Sequence, residues 1–325
     1  IDEWREGLAK DPNGMDNPYG VPNYLAYPST QWVDELFLST TSQKHNVSVV
    51  GSSENTNYLL SFGYLDNPGT LKNTGLKNYS GRINIETQIT KFLKVGTQTY
   101  ATFQSREPGN TSFTYMYQNT PAVTPYHDGK YGVSVDGAST SNLLADVMSR
   151  GGSYDDTRLN TTWYAKVNIL DGLTAEARFN YQTLFNETAT YSRKVDKQNF
   201  RTGEIIPGVS SSTATTSRAT TRYQNHTNTA TINYAKTFGK HDISILLGTE
   251  QYYWNVKGFS ATRTGLLDLD LPDFTAALDL LDPTLGGTAE QDYGVISYFG
   301  RLNYAYKNRY LLEANFRRDG SSRCL

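Results

Sequence analysis

Apolar and polar residues alternate with a period of two along most of this chain. Between Tyr79 and Ile89, Tyr79, Gly81, Ile83, Ile85, Thr87 and Ile89 share one face of an extended segment. Ser80, Arg82, Asn84, Glu86 and Gln88 share the other. Leu93 to Phe103 and Leu173 to Phe185 repeat the pattern, and Tyr58, Leu60, Phe62 and Tyr64 line up in the same way. Successive side chains of a strand point to opposite sides, so such a segment is a strand with two unlike faces.

The alternation predicts ten strands, at about 45–52, 57–65, 78–89, 93–104, 160–170, 173–186, 221–236, 241–255, 291–306 and 309–318. Several reach ten residues. Soluble strands average about five or six, whereas a tilted membrane-crossing strand needs about 9–11. The links sort by length. Ser53–Thr56, Thr90–Phe92, Asp171–Gly172, Thr237–Lys240 and Lys307–Asn308 are short, and Asp-Gly is a strong two-residue hairpin signal. The intervening links, about 66–77, 105–159, 187–220 and 256–290, are long. Tight turns at one end and long loops at the other belong to outer-membrane barrels. The expected fold class is all-β, a transmembrane antiparallel β-barrel segment preceded by a lead-in at 1–44 with short helices at Asp2–Lys10 and Trp32–Phe37. No run of 18 apolar residues offers a membrane helix, and the low mean hydropathy fits a barrel whose alternate residues face water.

The polar faces carry both signs of charge: Arg82, Glu86, Lys94, Lys166, Glu176, Arg178, Arg301, Glu313 and Arg317. In a barrel these line the lumen or face an internal plug; in a soluble sheet they form a solvated surface. Tyr58, Tyr64, Tyr79, Tyr234, Tyr252, Tyr253, Tyr304, Tyr306 and Tyr310 cluster near strand ends, as aromatic girdles require. Lys plus Arg number 30 against 32 Asp plus Glu, which offers no basic surplus for nucleic acid. One cysteine, Cys324, excludes a disulfide framework. His45, His127, His226 and His241 fall in no metal or nucleophile motif, and no phosphate-binding or dinucleotide loop is present, so no enzymatic chemistry and no cofactor are expected. The acidic loop 266–282, with Asp268, Asp270, Asp273, Asp279 and Asp282, lacks the spacing of an EF-hand and reads first as solvated, with calcium held by its carboxylates as the second reading.

The long loop at 105–159 is the candidate for ligand contact. Tyr115, Tyr117, Tyr126 and Tyr131 stand with Asn119, His127 and Asp128, flat rings beside hydrogen-bonding groups of the kind a sugar needs. The same tyrosines also suit packing of the loop on itself. A short helix is expected at 140–150, capped by Ser141, with Leu143, Leu144 and Val147 on one face.

His45-Asn46-Val47-Ser48-Val49 and Tyr58-Leu59-Leu60-Ser61-Phe62-Gly63-Tyr64-Leu65-Asp66 resemble the start of the barrel in the SusC/RagA family of TonB-dependent transporters. Tyr79-Ser80-Gly81-Arg82-Ile83-Asn84 through Phe92-Leu93-Lys94-Val95-Gly96 resembles the hairpin that follows. Most specific are Ser297-Tyr298-Phe299-Gly300-Arg301-Leu302-Asn303-Tyr304 and the run Arg317-Arg318-Asp319-Gly320-Ser321-Ser322-Arg323. The resemblance implies about ten strands of a larger barrel of about 22. It also implies a Gram-negative outer-membrane location amid lipid, import of a glycan or oligopeptide, a SusD-like surface lipoprotein as partner, and energy from TonB. The family's plug domain and TonB-contacting motif are not found in this sequence, and Cys324-Leu325 stand where the family continues with Phe. A passive porin or adhesin, or a soluble carbohydrate-binding β-protein, are the alternatives.

Overall fold

A computed structural model describes residues 20–109, 113–193, 195–206, 214–265, 274–276 and 284–323. Ten strands form one antiparallel sheet in chain order: β1 Gln43–Ser52, β2 Thr56–Pro68, β3 Thr74–Gln88, β4 Leu93–Pro108, β5 Arg150–Leu170, β6 Leu173–Ser192, β7 Thr215–Phe238, β8 His241–Thr264, β9 Gln291–Tyr306 and β10 Tyr310–Ser321. A short strand, Thr284–Gly286, adds to the far end of β8.

All ten expected strands are present, but most are longer than their alternating stretch. The loops shrink accordingly, always at the same end: β5 begins at Arg150 rather than near 160, and β7 at Thr215 rather than near 221. β7 and β8 each run 24 residues, roughly 80 Å of chain at about 3.3 Å per residue. An outer-membrane barrel's apolar band is only about 25 Å tall. Beyond that band lipid no longer demands alternation, yet hydrogen bonding along the ladder continues. Thr- and Ser-rich stretches such as Thr215–Thr221 therefore stay in the sheet without advertising themselves by period.

The strands are staggered. A row of paired residues starts at Ser52, beside the first tight turn. It passes through Asn57, Glu86, Gly96, Tyr164, Arg178, Thr229, Glu250 and Ser297, and ends on Asp319, near the opposite end of β10. A sheet with this shear has strands tilted to the axis about which it curls, as barrel geometry requires. Tight turns are made where the sequence permits left-handed backbone. Lys307 and Asn308 have φ of 52° and 54°, and Gly172 has φ of 79°. A Cβ on Gly172 would also meet the Ala235 carbonyl oxygen at 2.4 Å.

One face of the sheet is apolar and largely uncovered. Val47, Phe62, Ile83, Trp163, Ile232, Leu247, Tyr298 and Phe316 lie on it, all more than one-third exposed. Aromatic rings run along this face near both strand ends. His45, Tyr64, Tyr79 and Phe103 follow one another across β1 to β4, with centroids 5.0 to 6.4 Å apart. At the tight-turn end His241 meets Tyr304 and Tyr306, and its Nδ1 lies 2.7 Å from the Tyr304 hydroxyl. Tyr253 belongs to this apolar face. Its neighbour Tyr252, grouped with it by sequence, points to the other side because adjacent strand residues must.

The buried core lies beyond the sheet, at the long-loop end. Helices α1 Asn23–Ala26, α2 Trp32–Leu36, α3 Phe113–Gln118 and α4 Leu143–Met148 build a cap there. Trp32, Leu36, Met116, Val123, Leu143, Leu144 and Val147 fill it, with Phe37, Leu71 and Tyr131 against them. Residues 20–42, the described part of the segment before β1, are thus a structural part of this cap. The Trp32 indole donates to the Thr120 carbonyl at 2.9 Å, and Arg201 donates to the Ala26 carbonyl at 2.7 Å. The helix expected at Trp32–Phe37 is found as α2, whereas that at Asp2–Lys10 lies outside the described residues.

Candidate functional site

Two regions carry the polar chemistry: the polar face of the sheet and the cap. The register places Arg82, Glu86, Lys94, Lys166, Glu176, Arg178, Arg301, Glu313 and Arg317 all on the polar face. They form local networks. Lys94 donates to Glu86 at 2.9 Å, and the Tyr164 hydroxyl donates to the other Glu86 oxygen at 2.7 Å. Tyr164 reaches Glu86 by lying over Gly96, where a Cβ would meet the ring at 2.4 Å. Arg178 sits 5.3 Å from the centre of that ring and donates to Glu176 at 2.8 Å. Arg82 lies 5.3 Å above Tyr100. On the last two strands Arg301 donates to Asn315, which donates to Glu313. Arg317 gathers Asp319, Glu250 and the buried Ser297 hydroxyl, at 2.8, 3.3 and 2.9 Å, and stacks 5.8 Å from Phe299. Sequence reading missed Glu250 and Asp319. Their place in the polar alternation was visible, but their partnership through Arg317 depends on cross-strand register.

In the cap, Tyr126, His127, Asp128 and Tyr131 come together in one tight hairpin. His127 and Lys130 exchange backbone hydrogen bonds at 2.9 and 3.0 Å around Asp128 and Gly129, with φ of 45° and 79°. This Asp-Gly pair is the same turn signal read at 171–172, and it gives Asp128 a backbone role. The Tyr126 and Tyr131 rings lie 4.9 Å apart. His127 is held edge-on between Tyr24 and Phe200, at 5.8 and 5.6 Å. Burial pushes the Tyr131 phenol above its ordinary pKa, with Arg193 opposing. Tyr115 and Tyr117 flank the buried Met116 on α3 and stand 61% and 81% exposed. Asn119 turns inward and donates to Ser141 Oγ at 3.3 Å.

The cap's keystone is Asn142. Fully buried, it caps α4 by accepting from the Ala145 amide at 2.9 Å, and its Nδ2 faces the carbonyls of Thr124, Pro125 and Gly132 at 3.2, 3.0 and 2.9 Å. The cap falls one residue after the expected Ser141, whose hydroxyl is engaged with Asn119. Leu143, Leu144 and Val147 are buried as expected. Nearby, Lys197 donates to the Thr140 carbonyl at 2.7 Å, and burial draws its pKa below the usual lysine range against the pull of Asp146. The acidic stretch 266–282 lies outside the described residues apart from 274–276. Among the described residues no cluster of metal-ligating side chains occurs.

No family model matches the chain. It is similar to TonB-dependent receptor P3 of Formosa agariphila, 25% identical over 321 residues covering 92% of the chain and 30% of that protein. It is also 23% identical to TonB-dependent receptor SusC of Bacteroides thetaiotaomicron, over 93% of the chain and 31% of that protein. Among solved structures, the RagAB peptide importer in its open-open state superposes with a TM-score of 0.71 at 22% identity, over 91% of the chain and 34% of that one. The chain is a barrel segment similar to that of SusC/RagA-type TonB-dependent receptors. It spans about 30% of the length of the curated relatives it matches. A more distant barrel, the ferric preacinetobactin receptor BauA from Acinetobacter baumannii, shares the fold at a TM-score of 0.51. A SusC/RagA-type segment resides in the outer membrane, crossing it with strands; among the described residues no helix is long and apolar enough to cross. Both curated relatives are named as TonB-dependent receptors.

Proposed function

We propose that this chain supplies part of the barrel wall and part of the outer face of a TonB-dependent importer of glycans or oligopeptides. The carrying observation is the division of the sheet into an uncovered apolar face and a charged, internally networked face. Apolar side chains turned outward suit lipid, and the charged face then lines a lumen. Its Arg, Lys and Glu groups stand ready to hold a plug. Many keep a third or more of their surface exposed, Lys94 and Glu86 at 38% and 34% among them, which leaves room for further partners. The cap, with Tyr115, Tyr117, Asn119, Tyr126, His127, Asp128 and Tyr131, sits at the long-loop end where a nutrient and a SusD-like lipoprotein would be met. RagAB is a peptide importer, which supports the oligopeptide part of this substrate class.

The test is uptake by cells that carry the complete protein. Import of a limiting glycan or oligopeptide is expected to stop when TonB is disrupted, and when the complete gene is deleted. Import that continues without TonB would replace this reading with a passive pore. Tyr115→Ala combined with Tyr117→Ala is expected to weaken binding without lowering the amount of folded protein in the membrane.

A further inference from the structure

We propose that the polar face carries, at its long-loop end, a stacking site for a carbohydrate ring bearing a carboxylate, formed by Tyr252, Trp254, Tyr293 and Arg323. The proposal rests on the transport reading only in taking the polar face as the lumen. Tyr293 pairs with Trp254 across the β8–β9 ladder, and Tyr252 is two residues along β8 on the same face. The Tyr293 ring centre lies 5.7 Å from Tyr252 and 5.5 Å from Trp254, tilted by 50° and 40°. Three large rings therefore form a curved wall.

Elsewhere on this face Tyr164 donates to Glu86, and Phe299 lies beneath Arg317, which is itself paired with carboxylates. Tyr100 lies beneath Arg82 as Tyr293 lies beneath Arg323, but the cluster of three rings is at Tyr252, Trp254 and Tyr293. Among the described residues no carboxylate is hydrogen-bonded to the Tyr252–Trp254–Tyr293 wall, and Tyr253, between two of its members, serves the apolar face instead. Its cation comes from the Arg317–Arg323 run. Arg317 is engaged by Asp319, Glu250 and Ser297, whereas the Arg323 guanidinium lies 4.5 Å over Tyr293. Among the described residues it has no carboxylate partner. The backbone of the run fixes its position: the Ser322 amide donates to the Gly294 carbonyl at 2.9 Å, and the Gly294 amide donates to Ser322 Oγ at 2.9 Å. On β7, Asn225 and Thr227 stand opposite Trp254 and Tyr252 and add an amide and a hydroxyl to the border.

Each part answers a feature of one ligand class. The C–H face of a pyranose packs on an aromatic ring, its hydroxyls need neutral donors and acceptors, and a guanidinium forms bidentate bonds to a carboxylate. Arg317 pairs with Glu250 and Asp319 on the same face, and Asp292, next to Tyr293, takes the Tyr253 hydroxyl on the other side, so Arg323 is the charge set over the wall. A uronic-acid oligosaccharide fits; a neutral one gains the stacking and loses the ion pair.

The experiment uses the complete protein, purified in detergent and titrated calorimetrically with oligogalacturonates, alginate oligomers, maltooligosaccharides of equal length and an acidic peptide pool. Uronic-acid oligomers are expected to bind more tightly than maltooligosaccharides. Arg323→Gln should remove that preference, a loss of roughly tenfold to a hundredfold for a charge-assisted pair. Tyr252→Ala with Tyr293→Ala should weaken every sugar, and Trp254→Phe should retain most binding. Heat-modifiable migration on gels confirms that each variant folds. Equal binding of acidic and neutral sugars, binding unchanged by these variants, absence of sugar binding, or binding of the peptides alone would each overturn the assignment. Uptake separates the two readings. TonB-dependent import with binding indifferent to the variants removes the site and leaves the importer. Sugar binding lost in the variants, with import indifferent to TonB, removes the importer and leaves the site.

Discussion

Asn142 shows how one side chain can organise a loop of forty residues. Its carboxamide, itself fully buried, serves the α4 amide and three carbonyls from two other stretches. Asn142→Leu keeps the volume and removes every one of those bonds. Each buried polar group left without a partner costs about 1–3 kcal/mol, so the cap should open while the sheet stays folded. Hydrogen exchange in the complete protein should accelerate across 113–149 and remain unchanged in β5 to β8; unchanged exchange in the cap would refute this role. Sequence alone located the helix and its buried face but placed the cap on Ser141. Both residues are good caps, and only the chain's approach from 124 and 132 selects Asn142.

At the scale of the strand, the two faces make opposite demands on the same mutation. Ile232 and Leu247 are partners on the apolar face, about half exposed, while Thr231, one residue away, is on the polar face. Leu247→Arg places a charge against lipid seven residues into β8, at a cost of up to about 2–4 kcal/mol in a barrel. Thr231→Arg adds a charge to a watery face and should leave stability within about 0.5 kcal/mol. Urea unfolding of the complete protein in lipid vesicles measures both, and similar effects of the two would mean that the faces have been assigned wrongly. Alternation made these faces legible because lipid and water impose it residue by residue. The extensions beyond the lipid, such as Arg150–Leu159 and Val256–Thr264, were not legible. Hydrogen bonds to a neighbouring strand hold them, and those leave no period in the sequence.

For the whole molecule, the open edges matter most. Among the described residues β1 pairs only with β2, and β10 only with β9, so both outer strands present unpaired amides and carbonyls. A membrane tolerates no such edge in its apolar interior. Residues 1–325 expressed by themselves should therefore aggregate and give no heat-modifiable band in detergent, whereas the complete protein should give one. A stable, monomeric, folded band from the segment would show that ten strands close by themselves. The sequence by itself determined the all-β class, the ten strands and their order, the sorting of short and long links, and the charged side of each strand. All of these follow from local rules, the two-residue period of an extended chain and the backbone needs of tight turns. Only the tertiary structure decided that residues 20–42 join the loops into one cap, that Asn142 holds it, and that Arg317 draws together Glu250, Ser297 and Asp319. It alone also showed that Tyr252 and Tyr293 meet on the polar face. Those contacts join residues far apart in the chain, and they depend on cross-strand register and on the stagger of the sheet, which no local pattern records.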